Sequence, residues 1–153
     1  MILVDTNLLL RSVQPGHAQC QMARNAVKSV RQLGYVPCIV PQIVYEYWVV
    51  ATRPLTSNGL GLSSIDAEAD IARVIEQFHL FRDERTIFDR WQRLVVQYEV
   101  HGKTAHDARL VAAMERHGIE YLLTFNTQDF QRFPFLTAVH PETVSNLAPF
   151  SAQ

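Results

Sequence analysis

Hydrophobic and polar positions fall into blocks along the chain. Ile2-Leu3-Val4 is a continuous apolar run, the pattern of a strand buried on both faces. Pro15-Gly16 turns the chain, and His17–Leu33 sets Met22, Ala23, Ala26, Val27, Val30 and Leu33 at helical spacing before Gly34. Tyr35–Val40 is rich in strand formers, and Pro41 suits the first turn of a helix over about residues 42–51. That helix is apolar on nearly every face, which predicts burial all round. Arg53-Pro54 stops it, and Thr56–Leu62 reads as a glycine-containing loop. Ser63 or Ser64 caps the next helix, which runs to Phe78 with Ile71, Val74, Ile75 and Phe78 on one face.

Phe78–Phe81 forms a short strand, followed by an amphipathic helix over Asp83–Val100. Thr104–His117 is a further helix, closed by Gly118. Tyr121–Phe125 and Leu136–Val139 read as strands, joined by an irregular acidic connection from Asn126 to Phe133. Beyond them lies a loose tail containing Pro141 and Pro149. Strands alternating with helices predict an α/β fold, with a central parallel sheet of four to five strands flanked by helices. Within that alternation Ser64–Phe78 and Asp83–Val100 stand as a helical insertion. No repeat or low-complexity tract interrupts the pattern, so residues 1–150 are expected to form one domain.

Composition narrows the class. Of 153 residues, 48% are hydrophobic and 19% charged, which excludes disorder. The net charge of -1, from 14 basic and 15 acidic residues, excludes a protein that coats nucleic acid by bulk charge. Any such contact must come from a local patch or from bound cations. No apolar run reaches the roughly 20 residues of a membrane span, and Asp5 interrupts the only run near the start, so no signal peptide is expected. Cys20 and Cys38 lack metal-ligand spacing and are too few for a disulfide framework, which predicts a reduced, cytoplasmic protein.

Candidate chemistry lies where carboxylates are expensive. Asp5-Thr6-Asn7 follows the first strand without a spacer, and in open α/β sheets ligands sit at the carboxyl ends of strands. The same stretch also reads as a helix N-cap. Glu46 stands inside the apolar helix; it either pairs with an arginine such as Arg53, lies on an exposed strip, or serves chemistry. Asp107 opens another apolar helix, where Thr104-x-x-Asp107 resembles a capping box. Thr124-Phe-Asn126-Thr-Gln-Asp129 repeats the strand-end pattern of hydroxyl, amide and carboxylate, although an Asx turn would account for it too. Such hard oxygen ligands, converging at one sheet edge, suit Mg²⁺ or Mn²⁺ and in-line phosphoryl displacement.

The ordered set Ile2-Leu-Val-Asp5-Thr6-Asn7, Glu46, His106-Asp107-Ala-Arg and Thr124-Phe-Asn126-Thr-Gln-Asp129-Phe130 resembles the PIN-domain ribonucleases. Within them it is similar to the VapC-type toxins of toxin–antitoxin pairs, and Tyr47–Leu62 looks like a stretch of one VapC subgroup. The resemblance implies a three-layer PIN fold and endonucleolytic hydrolysis of RNA phosphodiesters with Mg²⁺, for which Mn²⁺ substitutes. Asp5, Glu46 and Asp107 match the three acidic ligands. Asp5 and Asp107 would hold the principal ion, with Glu46 contributing directly or through water. Many members carry Asp where Asn126 stands, so the fourth role falls on Asn126 or on Asp129. Thr6 and Thr124, with Asn7 beside them, match positions that orient the carboxylates or water. A VapB-like antitoxin placing a basic side chain into the acidic pocket, and a homodimer, are implied partners. The helices near Gln42–Ala51 and Ser64–Phe78 would form the antitoxin groove.

Arg82 and Arg85, with Arg90 and Arg93, could hold an RNA backbone, although a solvated helix face explains them as well. Two phosphohydrolases compete. His79, His101 and His106-Asp107 fit an HD-type enzyme, but that fold is all-helical. A haloacid-dehalogenase-type enzyme wants Asp where Asn7 stands. A PIN-like binding module with weakened catalysis is the third alternative, prompted by Asn126.

Overall fold

The computed structural model describes residues 1–150. Short apolar runs pair in parallel: β1 (Ile2–Val4), β2 (Pro37–Ile39), β3 (His79–Leu80), β4 (Tyr121–Leu123) and β5 (Thr137–Val139). They form one all-parallel sheet in the order β3-β2-β1-β4-β5. Ile2, Leu3 and Val4 are wholly buried, as a central strand covered on both faces must be.

Helices α1 (Thr6–Ser12), α2 (Cys20–Gln32), α3 (Pro41–Thr52), α4 (Ser64–Gln77), α5 (Thr86–Gln97) and α6 (Thr104–His117) cover the sheet. The short strand expected at Phe78–Phe81 forms as β3, and the two helices around it belong to the regular alternation, not to an insertion. β3 separates α4 from α5 and pairs with β2, so each of the first three strand connections carries two helices. α5 begins three residues later than expected, and α1 fills a stretch that the periodicity left unassigned. α6 buries Ala108, Leu110, Val111, Ala112, Ala113 and Met114, then ends on Gly118 at φ 65°, a left-handed conformation that glycine adopts without strain.

Two expectations are corrected. α3 is not buried all round: Gln42, Ile43, Tyr47 and Ala51 face the core, while Tyr45, Trp48 and Val49 are exposed. α3 packs against α1 and α4 by one side, and Tyr45, Trp48 and Val49 leave the other exposed among the described residues. The tail is not loose either. Residues Pro141–Asn146 wind into a 3-10 helix against α2, Val144 is buried, the Tyr35 hydroxyl donates to the Ala148 carbonyl at 3.1 Å, and Phe150 N–H donates to Leu33 O at 2.7 Å. Proline suits these irregular turns, which carry no periodic signal.

Candidate active site

The sheet order reverses between β1 and β4, the place where α/β sheets open a crevice at their carboxyl ends. Register pairs Val4 with Leu123, so Asp5 and Thr124 emerge side by side. The Thr124 hydroxyl, fully buried, donates to Asp5 Oδ2 at 2.6 Å, and Asn7 Nδ2 donates to the same oxygen at 2.7 Å. Asn7 Nδ2 also reaches Thr124 Oγ1 at 3.0 Å, and Phe125 N–H donates to Asn7 Oδ1 at 3.3 Å. Asp5 occupies the N-cap position of α1, yet its side chain makes no cap hydrogen bond. Among the described residues its Oδ1 takes no side-chain donor, and the Thr6 backbone adds a hydrogen bond to the carboxylate.

α3 brings in Glu46. Thr6 Oγ1 donates to Glu46 Oε2 at 2.7 Å, and Gln42 Nε2 donates to Oε1 at 2.8 Å. The pairing with Arg53 does not form, because Arg53 lies exposed past the end of α3. Among the described residues no Lys, Arg or His comes within salt-bridge distance of Asp5, Glu46, Asp107 or Asp129.

Asp107 lies in the first turn of α6, half-buried. The capping box does not form: Thr104 is already inside the helix, and its hydroxyl donates back to the His101 carbonyl at 2.6 Å. Asp129 stands exposed in a 3-10 turn, Thr127–Phe130, that packs on α6. Asn126 precedes that turn. Its backbone N–H donates to Thr124 Oγ1 at 3.0 Å, and its exposed side chain makes no hydrogen bond among the described residues.

The acids feel one another. Burial, opposed by the Thr124 hydroxyl and augmented by the charges of Glu46 and Asp107, pushes the Asp5 pKa up to about 6. Burial raises that of Asp107, and the charges of Asp129 and Glu46 raise it further. Asp129 therefore acts electrostatically on Asp107.

No three His, Cys, Asp or Glu side chains among the described residues stand close enough to enclose an ion unaided. The donor set nevertheless fits a divalent cation. It is all hard oxygen, no protein cation salt-bridges it among the described residues, and Mg²⁺ characteristically keeps several waters while binding one or two carboxylates. Asp5 and Asp107 could hold it, with Glu46 and Asp129 within electrostatic reach.

Two supporting residues escaped the sequence reading. Gln42 is buried against Glu46, and Arg109 NH1 donates to Gln42 Oε1 at 3.1 Å. The i, i+4 spacing of Gln42 and Glu46 was the available signal. The predicted phosphate-binding arginines stand apart from the acids. Arg82 and Arg85 lie exposed in the chain between β3 and α5, and Arg90 and Arg93 pair with Glu115 at 3.3 and 2.6 Å. Next to the acids a groove of about 470 Å³ is lined by Ile87, Phe88, Trp91, Ala105, His106 and Arg109, with Asp83 and Glu84 at its rim. A second cleft, also of about 470 Å³, lies between α1, α2 and α4, with Arg24, Lys28, Arg31 and Arg73 among its lining residues.

A parallel sheet with Asp5, Glu46 and Asp107 in mutual electrostatic reach at its switch point, and Asp129 acting on Asp107, defines an α/β protein with an acidic crevice. The five strands exclude the all-helical HD-type fold. The PIN domain family matches residues 2–136, and the chain belongs to it. PIN domains are typically metal-dependent nucleases. A comparison with curated proteins gives no match. Among solved structures the chain is similar to one from a toxin–antitoxin complex of Klebsiella pneumoniae, at 22% identity and TM-score 0.64 over 92% of this chain and 98% of that one. It is also similar to one in VapBC2 of Rickettsia felis, crystallised with promoter DNA, at 12% identity and TM-score 0.69 over 92% and 98%. A third is Mycobacterium tuberculosis VapC20, a toxin that cleaves the sarcin–ricin loop, at 18% and 0.60 over 80% and 87%. At these identities the likeness is one of fold. Among the described residues no helix is long and apolar enough to cross a membrane.

Proposed function

We propose that the protein is a Mg²⁺- or Mn²⁺-dependent endoribonuclease acting as the toxin of a VapBC-type pair. The observation that carries this reading is the gathering of Asp5, Glu46 and Asp107 at the switch point, with Asp129 acting on Asp107, and no Lys, Arg or His in salt-bridge contact with them among the described residues; His106 and Arg132 offset the charge on Asp107 only in part. Nothing in the packing of the fold requires acids to gather there, and the raised pKa values mark a site kept for a missing positive charge.

A divalent ion supplies electrostatic stabilisation of the phosphoryl oxygens and makes water more acidic. Asp5 and Asp107 would be its principal holders. Thr124 and Asn7 fix the Asp5 carboxylate by its Oδ2. Thr6 orients Glu46. A carboxylate of the set accepts the proton of the attacking water, phosphorus is attacked in line, and the bond to the leaving oxygen breaks. The aromatic wall of Phe88 and Trp91 gives bases beside that phosphate a stacking surface.

An antitoxin is the natural partner, since the similar structures come from toxin–antitoxin complexes. The exposed Tyr45, Trp48 and Val49 of α3 support assembly into a homodimer. Light scattering and the reading frame next to this gene test those two points.

The decisive experiment supplies purified, inhibitor-free protein with Mn²⁺ or Mg²⁺ and RNA. Cleavage is expected, to be lost with chelator and to fall roughly a hundredfold or more in Asp5→Asn. A wild-type protein that binds RNA without cutting it would establish the weakened binding module. Hydrolysis of small phosphomonoesters alone would establish a phosphohydrolase.

A further inference from the structure

Gln42 precedes Glu46 by one turn of α3, and its amide is fully engaged. Nε2 donates to Glu46 Oε1 at 2.8 Å and to the His106 carbonyl at 2.9 Å, while Oε1 accepts from Arg109 NH1 at 3.1 Å. Arg109 NH2 in turn holds both oxygens of Asp83, at 3.0 and 3.1 Å. The chain Asp83–Arg109–Gln42–Glu46 therefore joins the segment after β3, α6 and α3. Were the amide reversed, its oxygen would meet the Glu46 carboxylate and the His106 carbonyl, and its N–H groups would meet a guanidinium. Three attractive contacts would become repulsive. Because arginine keeps its charge, it holds the amide in one orientation.

We propose that Gln42, locked by Arg109, is a positioning residue that aims Glu46 into the acidic pocket and sets the pocket's affinity for a divalent cation. This rests on the metal-dependent reading above. The chemistry explains why an amide stands there. A lysine or arginine touching Glu46 would neutralise the carboxylate and compete with the ion. A neutral donor orients it and leaves its charge available, while the positive charge that fixes the donor is spent on Asp83. The arrangement parallels outer partners of metal ligands, whose loss commonly weakens metal binding 10–100-fold.

The test is Mn²⁺ titration calorimetry on the whole protein, with thermal melts of the metal-free form. Gln42→Met is expected to weaken Mn²⁺ binding by about tenfold. In a Glu46→Gln background the same change is expected to add nothing, because the carboxylate it positions is gone. Arg109→Met, which leaves Gln42 in place but frees its amide, is expected to give a smaller loss in the same direction and covers the case in which Gln42→Met does not fold. A merely structural role would lower the melting temperature in both backgrounds and leave Mn²⁺ affinity unchanged, which overturns the proposal. If wild-type protein binds Mn²⁺ and neither variant weakens it, only this inference fails. If wild-type protein binds no Mn²⁺, the metal-dependent reading fails with it.

Discussion

Asp5 carries two neutral side-chain donors on one oxygen and no salt-bridging cation on either. Glu46 takes one neutral donor on each oxygen, a hydroxyl and an amide, while burial raises the pKa of Asp107 and the charges of Asp129 and Glu46 raise it further. Asp5, Glu46 and Asp107 were legible as residues because a carboxylate in or beside an apolar run needs a reason. Gln42 was not, because an amide in a helix is ordinary until its neighbours are known. The choice between Asn126 and Asp129 belongs to this scale. Asp129 bears the charge felt by Asp107, whereas Asn126 engages Thr124 only through its backbone. Asp129→Asn is therefore expected to lower kcat/KM on an RNA oligonucleotide by about tenfold or more, and Asn126→Ala by no more than about threefold. The reverse ranking would move the fourth role to Asn126.

At the scale of elements, α3 is the helix that delivers Glu46, and its end is finished by the loop after it. Leu60 N–H donates to Val50 O, Gly61 to Arg53 O and Leu62 to Ala51 O, each at 2.9 Å, so the last carbonyls of the helix are satisfied. The chain can fold back that closely only at Gly59, where a Cβ would lie 1.9 Å from the Arg53 carbonyl oxygen. Gly59→Ala is expected to destabilise the protein by about 1–3 kcal/mol, read as a lower urea midpoint at unchanged m. An unchanged midpoint would mean that the loop yields freely. The glycines marked a loop in the sequence. That the loop caps α3 depends on where Arg53 comes to lie, and local composition does not carry that.

For the molecule as a whole, the acid pocket couples stability to pH. Asp5 ordinarily titrates near 3.8 and is raised to about 6 in the folded chain. Below about pH 4 both folded and unfolded states hold the proton. Between about 4 and 6 the unfolded chain gives it up first, so the folded state binds more protons and stability falls as pH rises. Asp107 shifts in the same direction. Asp5→Asn removes the charge, and it is expected to be more stable than wild type at pH 7.5 by on the order of 2 kcal/mol, with the gap closing near pH 4. Saturating Mn²⁺ is expected to raise the melting temperature of wild type and not of Asp5→Asn. Melts across pH, with and without metal, check both. A gap constant with pH would remove Asp5 from the account.

The sequence by itself determined the class of fold and marked the candidate acids. Apolar runs set the strands, helical spacing set most of the helices, and carboxylates at strand ends and helix starts stood out because burying charge is costly. Tertiary structure alone decided the rest. The order β3-β2-β1-β4-β5 puts the switch point between Asp5 and Thr124, across a separation in sequence that no local pattern spans. It pairs β3 with β2, leaves one face of α3 uncovered by the described residues and anchors the tail on α2. The physical reason is shared by all four. Hydrophobic periodicity reports which side of an element is apolar, whereas which element covers it, and which polar groups then meet, depends on contacts between distant parts of the chain.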